Sequence, residues 1–295
     1  MFSLFGEQEI VSDVYRVAHP FLSGRPVQTS QDLRWPYLAF LQSHQSYMPV
    51  NHGEDVFITD PGTEDQLVAA YGHKTVLDDM GQTGIIGASF PDEVKSDKIA
   101  LARNALEKFR GLDDTLAAVF DMVIHSVIVR PSRRINGRAS YGGSSSAAIG
   151  VIWLAMEPTV SCYDIVEMFL HELTHHLLFI DERNHAHFDY SLIASEENRA
   201  YSAILNMSRP VDKVLHSVVV ATELILGRHR FLPAGGQGVV HPDTDKMISD
   251  VAQACDSLSG LKSADDLLRP RSLEILDRCR ATIAGLKRRE PSHVA

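Results

Sequence analysis

Cysteine is scarce: Cys162, Cys255 and Cys279 are the three in 295 residues, far apart and without Cys-x-x-Cys spacing. They offer no zinc–thiolate site, and an odd, scattered set suits a reducing compartment. Positive charge is also short, with 28 Lys and Arg against 38 Asp and Glu and a formal net charge of -10. That balance argues against a nucleic-acid groove or an anionic membrane surface, and the short basic run Lys287-Arg288-Arg289 reads as a solvated tail feature. Long apolar runs are missing, since the longest, near Ser217 to Gly227, contains Glu223. The opening MFSLFGEQEI has no basic n-region and acquires acids early, so neither a signal peptide nor a membrane span is expected, and the expected location is cytoplasmic. Repeats and low-complexity tracts are absent apart from Gly142-Gly143-Ser144-Ser145-Ser146. What is present is enough apolar material, 44% of the chain, to bury a full core in one large domain or two tightly packed ones.

Residues 1 to 95 are rich in turn signals and weakly periodic. Helical pieces are expected at about 30 to 44 and 64 to 72, the second opened by a Thr63/Gln66 capping box, in a segment that covers one side of the larger C-terminal unit. From 96 to 295 the signals sharpen into the expected catalytic unit. An amphipathic helix runs to about Arg110 and a shorter one starts near Asp113, followed by β-rich runs at 122 to 129 and 147 to 154. Ser161 then caps a long helix, with Asp164 at its third position. Further helices are expected at about 195 to 206, 210 to 227, 244 to 259 and 271 to 287. The class expected is α+β and mainly helical, with a zincin-like core in which a small sheet leads into the helix capped by Ser161.

That helix carries His171-Glu172-Leu173-Thr174-His175. Two imidazoles four residues apart project from one helical face, so both can reach one divalent ion, with a glutamate beside the first. A catalytic metal ordinarily takes three protein ligands, and several residues compete for the third place. Asp181 sits at metzincin spacing, but Leu178 stands where that pattern needs glycine. His185 and His187 lie in a polar loop soon after the helix. Glu196 and Glu197 lie at gluzincin spacing, although acids after an N-cap such as Ser195 suit the helix dipole with no metal. His216 stands alone in an apolar helix, where a histidine is often simply a core residue.

The order of parts adds a resemblance. A Ser-containing strand region, an HExxH helix ending in Leu-Leu-Phe, then Arg209-Pro210 and Leu215-His216 opening a Val-rich helix resembles the HExxH-type peptide β-hydroxylases, often described as HExxH-motif putative peptide-modification proteins. It covers roughly residues 113 to 231. The resemblance implies an iron(II) and 2-oxoglutarate-dependent dioxygenase that hydroxylates the β-position of a peptide or amino-acid substrate in natural-product maturation, with O2 as cosubstrate. It implies His171, His175 and His216 as metal ligands and Glu172 within the site. The distal carboxylate of 2-oxoglutarate needs a cation, and Arg209, ahead of His216, offers a planar fork, with Arg199 second. The alternative is a zinc metallopeptidase of gluzincin type, with Glu172 as general base and Tyr201 or His176 stabilising the oxyanion. Glu223 is a further candidate on the same helix, but two helical turns separate it from His216, so both could hardly bind one ion.

Overall fold

The computed structural model describes residues 3–77, 84–134, 139–205, 207–232 and 238–287. Five helices lead into the sheet: α1 (Glu7–Ala18), α2 (Arg34–His44), α3 (Pro61–Ala70), α4 (Asp92–Arg110) and α5 (Asp114–Val123). Strands β1 (Ser126–Val129), β2 (Gly142–Gly143) and β3 (Val151–Leu154) precede the long helix α6 (Cys162–Asn184). The hairpin β4 (Arg199–Tyr201) and β5 (Ser208–Pro210) comes next, and α7 (Val211–Arg230), α8 (Thr244–Ser259), α9 (Ala264–Leu267) and α10 (Pro270–Lys287) complete a mainly helical α+β fold. Among these residues no helix is long and apolar enough to cross a membrane.

Helix α6 is the axis of the molecule. Ser161 and Asp164 form a reciprocal capping box, with Ser161 N donating to Asp164 at 2.9 Å and Asp164 N to the Ser161 hydroxyl at 3.1 Å. Ile165, Phe169, Leu173 and Ile180 recur on one face of it and are buried, and Leu178 is buried on the other side. Helices α1, α4 and α7 lie against it. The sheet has the order β1-β3-β2, with β1 parallel and β2 antiparallel to β3. Both β1 and β3 are buried throughout, which explains their unbroken Ser-Val-Ile-Val and Val-Ile-Trp-Leu runs. A bridge from Phe57 to Val127 ties the first third of the chain to β1.

Four expectations need correction. The helix at 195 to 206 is a 3-10 turn at Glu196–Asn198 followed by β4. Asn198 donates from its side chain to Leu192 O at 2.9 Å, and Tyr201 N reaches the Ser257 hydroxyl on α8 at 2.9 Å, so tertiary partners take the groups a helix would use. Helix α3 begins earlier than its expected box, because Asp60 is the cap, accepting from Thr63 N at 2.7 Å with Pro61 in the first turn. The β-rich runs shorten to four residues each, since α5 continues to Val123 and residues 145 to 151 turn through Ala148 N to Ser145 O and Val151 N to Ala148 O. Finally, α1 is a helix in a stretch that reads as irregular; Gly6 caps it without a side chain, leaving only the Ile10, Val14 and Val17 spacing as a signal.

Candidate metal centre

The capped start of α6 fixes the phase of everything beyond it. His171 and His175 come to the surface side of the helix, half-buried, while Glu172, Leu173, Thr174 and His176 are buried. His171, Glu172 and His175 each offer a ligand atom within 4.8 Å of the others. His171 turns Nε2 toward Glu172 Oε1 at 4.0 Å. The other Glu172 oxygen accepts from the Ser144 hydroxyl at 2.6 Å, which ties the HExxH helix to the Gly-Gly-Ser-Ser-Ser stretch. That approach requires glycine at 142: a Cβ there would stand 2.5 Å from Met168 Cε, 2.6 Å from Trp153 O and 3.6 Å from Glu172 Oε1.

His216, in the second turn of α7, brings Nδ1 to 3.0 Å from Nδ1 of His175. That separation is the spacing of a hydrogen-bonded imidazole pair, and His216 meets His175 rather than the whole cluster: among the described residues the ligand atoms that lie together are those of His171, Glu172 and His175. Nε2 of His216 faces the buried Glu182 at 4.0 Å, beyond hydrogen-bonding distance. Burial and the adjacent imidazoles push both motif histidines well below the usual histidine range, so they present neutral lone pairs. Burial raises Glu172 to about 8, against the opposing Ser144 hydrogen bond. Neutral imidazoles in contact, partly open to solvent and backed by a buried carboxyl, fit a first-row divalent ion such as iron or zinc.

The competing candidates go elsewhere. The side chain of Glu196 is 89% exposed and pairs with Arg199 at 3.6 Å, a position unlike that of a ligand converging on half-buried histidines. Asp181 receives Arg271 Nε at 3.0 Å and His187 Nε2 at 2.5 Å. His185 meets Arg16 at 3.0 Å and lies 3.6 Å from Asp13. Asp13, Asp181 and His185 do cluster, but Arg16 and Arg271 already supply the cationic charge. Glu223 accepts from the Ser3 hydroxyl at 2.9 Å and Leu4 N at 2.6 Å, which commits it to holding the start of the chain. His176 accepts from Gly150 N at 3.1 Å and donates to Val151 O at 3.1 Å. Both its nitrogens are spent on the entry to β3, so it is no oxyanion partner. Arg209 lies half-buried on β5 opposite Ala200, just ahead of α7, and Tyr201 is half-buried on β4.

Sequence reasoning missed His241. Its Nε2 lies 2.9 Å from His171 Nδ1, and its Nδ1 lies 3.1 Å from Glu167 Oε2. Glu167 is fully buried and clasped by Arg228 through both Nε and Nη2. Burial alone would raise Glu167, but the hydrogen bonds from Arg228 and His241 pull it down to about 2. One signal was readable: Glu167 stands a helical turn before His171, an acid on an otherwise apolar helix. No family model and no curated protein matches the chain.

Proposed function

We propose that this protein is an iron(II)- and 2-oxoglutarate-dependent hydroxylase acting on an unactivated side-chain carbon of a peptide or amino acid, with a zincin-like core and the metal held by His171, His175 and His216. The observation that carries the reading is the joining of α6 and α7 at the His175–His216 contact, with Glu196 exposed elsewhere. A gluzincin-type peptidase needs that glutamate at the ion, whereas three histidines would leave positions for a bidentate keto acid and oxygen on iron; three histidines also hold zinc, so the choice of iron rests on the resemblance in the order of segments. Bound iron would supply the coupled oxidation in which substrate C–H, O2 and 2-oxoglutarate give the alcohol, succinate and CO2.

The chain's own residues then have separate tasks. His171, His175 and His216 would hold the ion. Glu172, hydrogen-bonded to Ser144, would orient a ligand or the substrate at the edge of β2, with no need to act as a base. Arg209 would pair with the distal carboxylate of 2-oxoglutarate through its planar fork. The free thiols of Cys162, Cys255 and Cys279 accord with work in a reducing compartment.

The test separates oxygen activation from hydrolysis without knowledge of the substrate. Anaerobic protein with iron and 2-oxoglutarate should develop the weak visible charge-transfer band of a chelated keto acid, and admitting oxygen should yield succinate. Arg209→Ala should weaken 2-oxoglutarate binding by about 1.5–3 kcal/mol while metal is retained. Absence of both band and succinate, together with Glu172-dependent peptide cleavage by zinc-loaded protein, would replace this reading with the peptidase.

A further inference from the structure

We propose that His241 is a positioning residue for the metal centre, fixing the tautomer and orientation of His171 through a buried relay that runs from Arg228 to Glu167, His241 and His171. The inference rests on the reading of His171 as a metal ligand and adds a residue outside the HExxH pattern.

The backbone on both sides of His241 is built into place. Asp164, already part of the α6 cap, accepts from Val239 N at 2.6 Å and Val240 N at 3.1 Å. Arg228 on α7 donates to Pro242 O at 2.7 Å. At Gly238 a Cβ would fall 2.3 Å from Asp164 Oδ1, so the strap lies too close to the helix end for any side chain. A five-residue strap is thus fastened to both metal-site helices, and the side chain it delivers between them is an imidazole only 6% exposed.

An ion on Nε2 of His171 leaves the ring proton on Nδ1, which donates to His241 Nε2 at 2.9 Å. A carboxylate accepts only, so His241 turns its Nδ1 proton to Glu167 Oε2 at 3.1 Å. With its proton on Nδ1, His171 carries its lone pair on Nε2, the nitrogen that faces Glu172 Oε1. The relay therefore aims the lone pair of the first motif histidine at the side where the motif glutamate stands. Outer-sphere partners of this kind fix ring orientation and raise ligand basicity. Arg228 keeps the far end charged and fixed through two hydrogen bonds to Glu167. His216 stands in a different relation to His175, because two Nδ1 atoms face each other and Glu182 is too distant to dictate a tautomer by direct hydrogen bonding.

Cobalt(II) is the probe, titrated into full-length protein and followed by its visible ligand-field absorption, with the thermal midpoint of the metal-free protein recorded in parallel. His241→Leu should weaken cobalt binding by roughly 10- to 100-fold and alter the spectrum. His241→Gln, whose amide can donate to Glu167 and accept from His171, should recover most of the affinity, and Glu167→Gln, with the strap retained, should also weaken binding. Wild-type affinity and spectrum in His241→Leu, with only a lowered midpoint, would reduce His241 to a fastening for the strap and overturn the relay. Failure of His241→Gln to exceed His241→Leu would likewise overturn it. The underlying reading fails separately: either wild-type protein takes up no cobalt, or His171→Ala binds as tightly as wild type.

Discussion

Replacing Glu223 with glutamine should make the protein more stable at alkaline pH and leave it nearly unchanged at mildly acidic pH. Glu223 is fully buried on α7, accepting from the Ser3 hydroxyl and Leu4 N through Oε1. Burial raises its carboxyl from an ordinary 4.5 to about 7, and the two hydrogen bonds offset this only in part. The folded state therefore holds a proton that the unfolded state has released between those values. Its stabilising contribution is complete below pH 4.5 and is lost as pH rises through about 7. The full loss is roughly 3 kcal/mol, at about 1.4 kcal/mol for each pH unit separating the two ionisations. A glutamine keeps the carbonyl that receives Ser3 and Leu4 and never ionises. Urea unfolding should place Glu223→Gln within about 1 kcal/mol of wild type at pH 5 and roughly 2–3 kcal/mol above it at pH 8.5. Asp13 and Glu182, also raised to about 7 with burial as the largest cause, add the same slope to both proteins and drop out of the difference. A stability difference that does not change with pH, or a glutamine variant weaker than wild type at pH 8.5, would refute the assignment of a buried, proton-holding carboxyl.

Arg271→Met should destabilise the protein by about 3–5 kcal/mol in denaturant unfolding, because it leaves the buried Asp181 without the guanidinium that contacts it at 2.7 and 3.0 Å. Adding Asp181→Asn should restore part of that loss, and a double variant no better than the single one would contradict the pairing. Gly142→Ala should cost about 1–3 kcal/mol by forcing β2 away from Met168 and Trp153 O. The same change should perturb the keto-acid band through Glu172, and an unaltered melting curve would show that β2 does not press on α6.

The part of the site that lies on one element was legible in the sequence. His171, Glu172 and His175 share a helix whose start is announced by Ser161 and Asp164, so phase and spacing placed them together. The neighbourhood of His216 and His175 needed the order of segments as well, because nothing local in α7 says which histidine faces α6. His241 escaped because a strap owes its position to tertiary hydrogen bonds from Asp164 and Arg228, which leave no periodic trace. The same physics misled the reading of residues 195 to 206. Glu196 and Glu197 after Ser195 look like a helix start, yet Asn198 and Tyr201 find partners in Leu192, Ser263 and Ser257, and the backbone turns with them into a hairpin. The Glu196 alternative rested on that expected helix, and the turn that replaces it leaves the side chain in solvent.

The most direct measurement is the iron content of anaerobically reconstituted protein and its alanine variants at the proposed ligands. Wild-type protein should bind one iron per chain. His171→Ala, His175→Ala and His216→Ala should each lose most of it while Glu196→Ala retains it, as the proposed three-histidine site requires. Unchanged iron in both motif variants would end the metal reading. Loss in Glu196→Ala with retention in His216→Ala would contradict the three-histidine site.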